Sequence, residues 1–372
     1  MSIGFQIHSP GPSKADLAHD QLMAHLESLG MHHWVQVKRT DSVQGSCAHY
    51  RLLPEIQHSV APGFDTLSLA QNQHWAGGHD DLDLEREILC SLLLSPIRQC
   101  YPSLEEFESS RRIRFNIVRA AQQTSMDFKT HALDRPLDYW EYDEDRGFIL
   151  RSNKCLIEGL LQATQPARSG RQFAFSCYRA TEYVVLLGIA QEVQQHHPEL
   201  FGQLERQWRA RALMSSSFHE AFMREIGSQA SPLPMDWYVP GDRIWFRNPD
   251  DASSDVYGFE GSWVLYLGGG RFTNFWDHEH PYDVSTKCLE IYHWRDGVKH
   301  APDGELQMDE DQVERMMART RACPEATQQV LARMRRLRDP QGVYAQGGCM
   351  DSTREMTRWV RPGTCDIVLP DA

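Results

Sequence analysis

Nine cysteines are scattered along the 372 residues, and one of them, Cys177, stands where a thiol can act as a nucleophile. It closes the apolar run Phe173-Ala174-Phe175-Ser176 and precedes residues 181–194, in which Val184, Val185, Gly188 and Ile189 recur at helical spacing. A strand-like approach handing over to a helix puts the thiol at the helix N-terminus. There it faces unpaired N–H groups and the positive end of the helix dipole, both of which favour the thiolate. The plainer alternative is a small, buried, inert side chain.

A thiol nucleophile needs a base or a charge partner within hydrogen-bond reach. Glu260, in Tyr257-Gly258-Phe259-Glu260-Gly261-Ser262, lies just ahead of an apolar strand, and an extended chain would put Glu260 and Ser262 on one face. The run Asp277-His278-Glu279-His280 follows the return strand of a hairpin, and His278, with Asp277 beside it, is expected to bring an imidazole to Cys177. Each candidate has a blander reading: a solvated strand-edge acid for Glu260, an exposed polar loop for the second run. A metal site ranks last, because the HxH spacing lacks a third ligand nearby. No metal and no cofactor are expected. Gly268-Gly269-Gly270 has no following Lys-Ser/Thr pair and makes no phosphate loop, and a GxSxG elbow is absent.

The elements that must position these residues are legible from pattern and punctuation. Ser13 is expected to cap a helix running to about residue 29, with Asp16 as its acidic partner and Gly30 as its stop. Residues 34–38 alternate like a strand, and residues 57–83 read as loop. Pro102-Ser103-Leu104-Glu105-Glu106 reads as a capping box opening a helix to about residue 123, with Phe107, Ile113, Ile117 and Ala121 on its apolar face. Residues 140–150 read as a hairpin turning at Asp143-Glu144-Asp145 and Gly147. His196-His197-Pro198 ends the nucleophile helix, and a second helix is expected over 199–214. Pro240-Gly241-Asp242 turns into a strand over 243–246, and the unbroken apolar run 263–267 predicts a central strand. The three glycines then turn into a strand over 271–276, and the tail reads as helices over 309–320 and 325–338 before a loop-rich end.

Composition sets outer limits. A 41% hydrophobic share supports a buried core, and a net charge of −13 argues against general binding to a phosphate backbone. No apolar run approaches the roughly 20 residues that span a bilayer, and the start has neither a basic region nor an apolar one of the secretory kind. An odd number of widely spaced cysteines without a CxxC pair predicts reduced thiols rather than a disulfide framework or structural zinc. A cytoplasmic location is therefore expected, with export by a signal-independent route left open; the expected partner is a protein or peptide, not nucleic acid and not a membrane.

Five blocks, in the same order, resemble the small calcium-independent transglutaminases of spore-forming bacteria. Arg114-Phe115-Asn116-Ile117-Val118-Arg119-Ala120-Ala121 is similar to that family's "R-M-N-I-V-A-A-A" helix, and Tyr139-Trp140 with Gly147-Phe148-Ile149-Leu150 to its "Y-W…G-x-x-L-K" hairpin. Phe173-Ala174-Phe175-Ser176-Cys177-Tyr178-Arg179-Ala180-Thr181 resembles its "Y-A-F-E-C-A-T-A" nucleophile segment. Pro240-Gly241-Asp242-Arg243-Ile244-Trp245-Phe246-Arg247-Asn248-Pro249 and Gly261-Ser262-Trp263-Val264-Leu265-Tyr266-Leu267-Gly268 resemble its "x-G-D-C-x-Y-F-K-N-P" and "G-E-N-V-I-x-L-G" strands.

The resemblance covers about residues 88–300. It implies an α/β (α+β) fold with a papain-like core, a central mostly antiparallel sheet and flanking helices. It implies a core over 86–300, an N-terminal extension over 1–85 and a helical C-terminal extension over 301–372. It also implies Cys177 as nucleophile, and acyl transfer from protein glutamine through a thioester to a lysine amine, or to water as deamidation. Three positions depart from the family. Its acid in "G-E-N-V" falls on Ser262, its histidine falls near Phe275, and its acid in "F-E-C" is Ser176. Glu260, Asp277, His278 and His280 are the acids and imidazoles nearest to those places. The departures keep two other outcomes open: a different cysteine amidase or peptidase on the same scaffold, such as a delivered effector, and a non-catalytic binding or structural descendant.

Overall fold

The computed structural model describes residues 3–43, 45–127, 134–302, 304–339 and 347–370. The N-terminal part builds a four-stranded sheet in the order Val35–Ser42, Gly45–Leu52, Phe5–Ser9, Gln99–Tyr101. Gly45–Leu52 alternates strictly, burying Ser46, Ala48, Tyr50 and Leu52, as a strand with one covered face must. The helix beside it, Pro12–Ser28, starts one residue before the expected cap, with Pro12 in its first turn and no side chain capping it. Asp16 pairs with Arg39 instead. Residues 57–83 are not open loop: they carry the short helices Pro54–Val60 and Leu69–Gln73.

The site rests on a five-stranded, wholly antiparallel sheet. Its strands are β1 (Met223–Gly227), β2 (Arg243–Arg247), β3 (Gly261–Gly268), β4 (Arg271–Phe272) and β5 (Thr353–Thr357), in the order β4-β3-β2-β5-β1. β3 is an interior strand, and Val264 to Gly268 are all buried. The return strand is shorter than its pattern predicts, two residues only, because the register shifts at Arg271 and Phe272. β5 is the main surprise. It comes from the segment read as a loop-rich end, yet it sits between β1 and β2 with all five residues buried.

Helices pack on both faces of this sheet, with Leu265 and Leu267 turned to one set and Val264 and Tyr266 to the other. α1 (Leu104–Gln122) opens at Ser103, whose hydroxyl accepts from the Glu106 N–H at 3.1 Å, and buries Phe107, Ile113, Ile117 and Ala121. Glu106 does not return the favour to Ser103. It is fully buried, and its carboxylate accepts from the Val360 and Arg361 N–H groups and the Thr364 hydroxyl. α2 (Cys177–His196) crosses α1 so closely that a Cβ on Gly188 would lie 2.6 Å from Ile117 Cγ1. It is buried on nearly every side from Ala180 to Ala190, as a helix enclosed by other helices and a sheet has to be. Arg114 of α1 reaches Asp242 in the turn before β2 at 2.7 Å, an ion pair with both side chains buried that fixes the helix layer on the sheet.

The turn between β3 and β4 uses Gly268, Gly269 and Gly270 at φ values of +88°, +60° and +71°, a conformation open to glycine. Buried Glu87 accepts from the Gly269 N–H at 2.9 Å and from the Tyr266 hydroxyl at 2.8 Å, which pins that turn. One buried apolar cluster runs from Phe5 to Val360, and a second gathers around Tyr266, Phe272 and Cys288. Among the described residues no helix is long and apolar enough to cross a membrane.

Candidate active site

Cys177 is the first residue of α2, as the sequence predicts. Its approach is held by a parallel bridge: the Asp127 N–H donates to the Phe173 carbonyl at 3.0 Å and the Phe175 N–H to the Asp127 carbonyl at 3.1 Å. The Arg135 guanidinium lies over the Phe175 ring and donates to the Ala174 carbonyl at 2.8 Å. Ser176 caps the helix, accepting from the Arg179 N–H at 3.3 Å. The half-buried Cys177 sulfur then receives the Trp263 N–H of β3 at 3.5 Å.

Burial pushes the Cys177 thiol above its ordinary value. The Trp263 N–H, the Lys287 ammonium, the Tyr178 N–H and Arg243 pull it down without cancelling that rise. Desolvation thus works against the thiolate that the helix start favours.

Two cavities meet at this sulfur. The larger, about 660 Å³, is lined by Cys177, Gly261, Ser262, Asn274, Asp277 and His280, and also by Tyr282, Lys287, Glu290, Glu310 and Glu314. The smaller, about 240 Å³, is lined by Cys177, Tyr178, Trp245, Tyr257, Glu260 and Trp263. Gly258 and Gly261 belong to both. A Cβ on Gly261 would sit 2.2 Å from Trp245 Nε1, so only glycine lets β3 pass here.

The expected site residues divide between the two sides. Glu260 is exposed and borders the smaller cavity, whereas Ser262 borders the larger. Their shared-face argument fails because β3 begins at Gly261, leaving Glu260 outside the pleat. Asp277 borders the larger cavity, with its carboxylate 2.7 Å from Nδ1 of His280. His278 is exposed and lines neither cavity; the tight turn Asp277 to His280 points His280 at the opening in its place. Asn274 borders the cavity in the stretch where the family's histidine is expected, and it orients the turn, accepting from the Trp276 and Asp277 N–H groups at 3.3 Å.

Sequence reasoning missed the far wall. It belongs to α3 (Val284–Gly297) and α4 (Glu310–Arg321). Lys287 has its side chain 2% exposed, bonds Glu290 at 2.6 Å, and lies 3.5 Å from the centre of the Tyr282 ring. A signal was present: Lys287 falls on the same helical stripe as Val284, Cys288, Ile291 and Trp294, all buried. Among the described residues no group of three metal-binding side chains converges.

Behind β3, Arg243 is fully buried between two rings, 4.5 Å from the centre of Tyr178 and 4.2 Å from that of Trp263. It donates to the Thr181 hydroxyl and to Glu355 of β5, each at 2.8 Å. Glu355 also lies 3.1 Å from Nδ1 of His219. The two residues whose N–H groups act on the sulfur are thus braced by one cation.

The protein-glutamine gamma-glutamyltransferase family profile matches residues 65–368, well beyond the 88–300 carried by the five blocks. A curated protein-glutamine gamma-glutamyltransferase of Halalkalibacterium halodurans is 26% identical over 194 residues, which are 51% of this chain and 62% of that protein. The chain therefore spans less than two thirds of the length of that relative. A solved transglutaminase from Geobacillus stearothermophilus, without its C-terminal extension, aligns at 18% identity with a TM-score of 0.40, over 58% of this chain and 98% of that one. With a thiol at the start of a helix that packs on an antiparallel sheet, and a family match across most of its length, this chain belongs to the protein-glutamine gamma-glutamyltransferase family.

Proposed function

We propose that this chain transfers the acyl group of a protein-bound glutamine through a Cys177 thioester to a primary amine. The observation that carries this reading is the pair of cavities meeting at one sulfur, which lets donor and acceptor approach from different sides. A hydrolase needs only one such entrance. The smaller cavity, walled by Tyr178, Trp245, Tyr257 and Trp263, suits the neutral glutamine side chain. The larger, with Asp277, Glu290, Glu310 and Glu314 against Lys287 and Arg321, suits an amine that arrives as a cation.

The steps follow from the groups present. His280, oriented by Asp277, takes the proton of the Cys177 thiol, and sulfur attacks the carboxamide carbon. N–H groups at the start of α2 stabilise the oxyanion. The C–N bond breaks as the imidazolium gives its proton to the leaving nitrogen, and ammonia departs. The acceptor ammonium gives one proton to solvent, the neutral amine attacks the thioester, a second proton passes through His280 to the sulfur, and the C–S bond breaks to restore the thiol. His280 takes the part first assigned to His278, while Glu260, at the smaller mouth, contacts the donor peptide. The division into an N-terminal extension, a core and a C-terminal extension belongs to the same reading, with β5 as the piece of the last segment that the core requires.

The test is a glutamine peptide incubated with a fluorescent primary amine, following ammonia release and amine incorporation together. Cys177→Ala is expected to lose both. Undiminished release by that variant would remove the proposal, and release without incorporation would replace transfer by deamidation.

A further inference from the structure

We propose that Lys287 is a catalytic residue of this site, the cation that stabilises the Cys177 thiolate across the larger cavity. The proposal rests on Cys177 being the nucleophile, and it fills a gap: the aligned histidine is absent, and His280 sits exposed at the rim.

Three observations carry it. Lys287 and Cys177 line the same cavity, one from α3 and one from the start of α2. The Lys287 side chain is almost completely buried, a costly place for an ammonium unless a negative charge forms nearby. Its known partners leave capacity: of three N–H donors, one is used on Glu290, and the Tyr282 face takes none in a conventional hydrogen bond. Among the described residues no further acceptor approaches it, so the remaining donors are available to charge that develops inside the cavity. Burial works against the thiolate, and Lys287 is the leading side-chain charge that works for it, ahead of Arg243.

The surrounding charges fix the sign of the effect. Around Lys287 stand Glu290 on its own helix, Glu310 and Glu314 on α4, and Asp277 on the turn, with Arg321 farther along α4. Tyr282, just before α3, is uncharged throughout the working range because burial raises its hydroxyl. Around Cys177 stand Arg243, from β2, with Tyr178 next to it on α2, and exposed Glu260 at the mouth of the smaller cavity. Removing Lys287 therefore takes away the leading side-chain cation acting on the sulfur and moves the thiol upward. Removing Glu290 unmasks the ammonium and moves it downward.

Iodoacetamide labelling rates of Cys177, followed by peptide mass mapping from pH 7 to 11, read this without requiring turnover. Lys287→Met is expected to raise the labelling midpoint by about one pH unit, a tenfold loss of thiolate at a given pH. Lys287→Arg is expected to restore most of the wild-type midpoint. His280→Gln, in contrast, is expected to leave the midpoint in place while slowing amine incorporation. A Lys287→Met midpoint equal to wild type overturns the proposal. Should Lys287→Met not fold, Glu290→Gln decides: a lower midpoint supports the role, and an unchanged or higher one overturns it. Failure of amine incorporation in wild type would remove the transferase reading and leave the labelling result intact.

Discussion

Replacing Arg243 by Met removes the one cation held between Tyr178 and Trp263 and leaves Glu355 with a single partner. The size of the loss follows from the geometry. The guanidinium is fully buried, and Glu355, with its side chain 9% exposed, receives it at 2.8 Å. Breaking a buried pair by deleting one member costs about 3–5 kcal/mol. Two ring contacts add roughly 1 kcal/mol each, and the methionine sulfur returns a comparable amount by lying against the same rings. Glu355 keeps His219 at 3.1 Å, which brings the total toward the lower end, about 3 kcal/mol. Replacing both members, Arg243→Met with Glu355→Met, exchanges the pair for apolar packing and is expected to return to within about 1 kcal/mol of wild type. Urea unfolding of wild type, both single variants and the double variant, followed by tryptophan fluorescence, gives the coupling directly. A single-variant loss below about 1 kcal/mol, or a double variant weaker than both singles, would refute the brace.

Three further outcomes follow from the described contacts. Pairing with Glu355 raises the His219 imidazole above its ordinary value, so its contribution to stability is complete below about pH 6.5 and is lost as pH rises through the folded value; His219→Gln should flatten that decline, and an unchanged pH slope would count against the pair. Burial raises the Glu87 carboxyl to about 7, so its protonated form stabilises the folded state fully below about pH 4.5, and that stability fades as pH climbs through 7. Calorimetry of Glu87→Gln should lack this fall, which amounts to roughly 3 kcal/mol, and a variant that tracks wild type across the window would show the carboxyl to be ionised throughout. Gly261→Ala, with its Cβ 2.2 Å from Trp245 Nε1 and 2.6 Å from the Phe246 carbonyl, should lower stability by about 1–3 kcal/mol and depress amine incorporation, and normal values for both would show that β3 can shift freely.

Much of the frame was legible because its signals are local. Ser103 opens α1, Asp143 and Gly147 turn the first hairpin, and Cys177 begins α2, each set by residues within a few positions. What was hidden depends on distant partners. Thr353–Thr357 carries an arginine and a glutamate in five residues and has no apolar alternation, so nothing in it reads as a buried strand. It is buried because Arg243 answers Glu355, while the carbonyls of Met235, Trp237 and Asp351 and the Tyr238 ring take up Arg354. Glu106 reads as half of a capping box, yet a loop near residue 360 claims it. At the site, the thiol and the turn from Asp277 to His280 were visible as residue types. The choice between His278 and His280 was not, because a turn's sense decides which side chain faces inward. Lys287 escaped for a related reason: its helix gains meaning only when the start of α2 comes to border the same cavity.

The insertion of β5 between β1 and β2 also governs when the sulfur becomes useful. Its glutamate is 112 positions beyond the arginine it meets. A polypeptide emerging amino end first exposes Cys177 early, but Tyr178 and Trp263 stay unbraced until that last strand threads into the gap. A nascent or clipped chain would hold the reactive atom without its support.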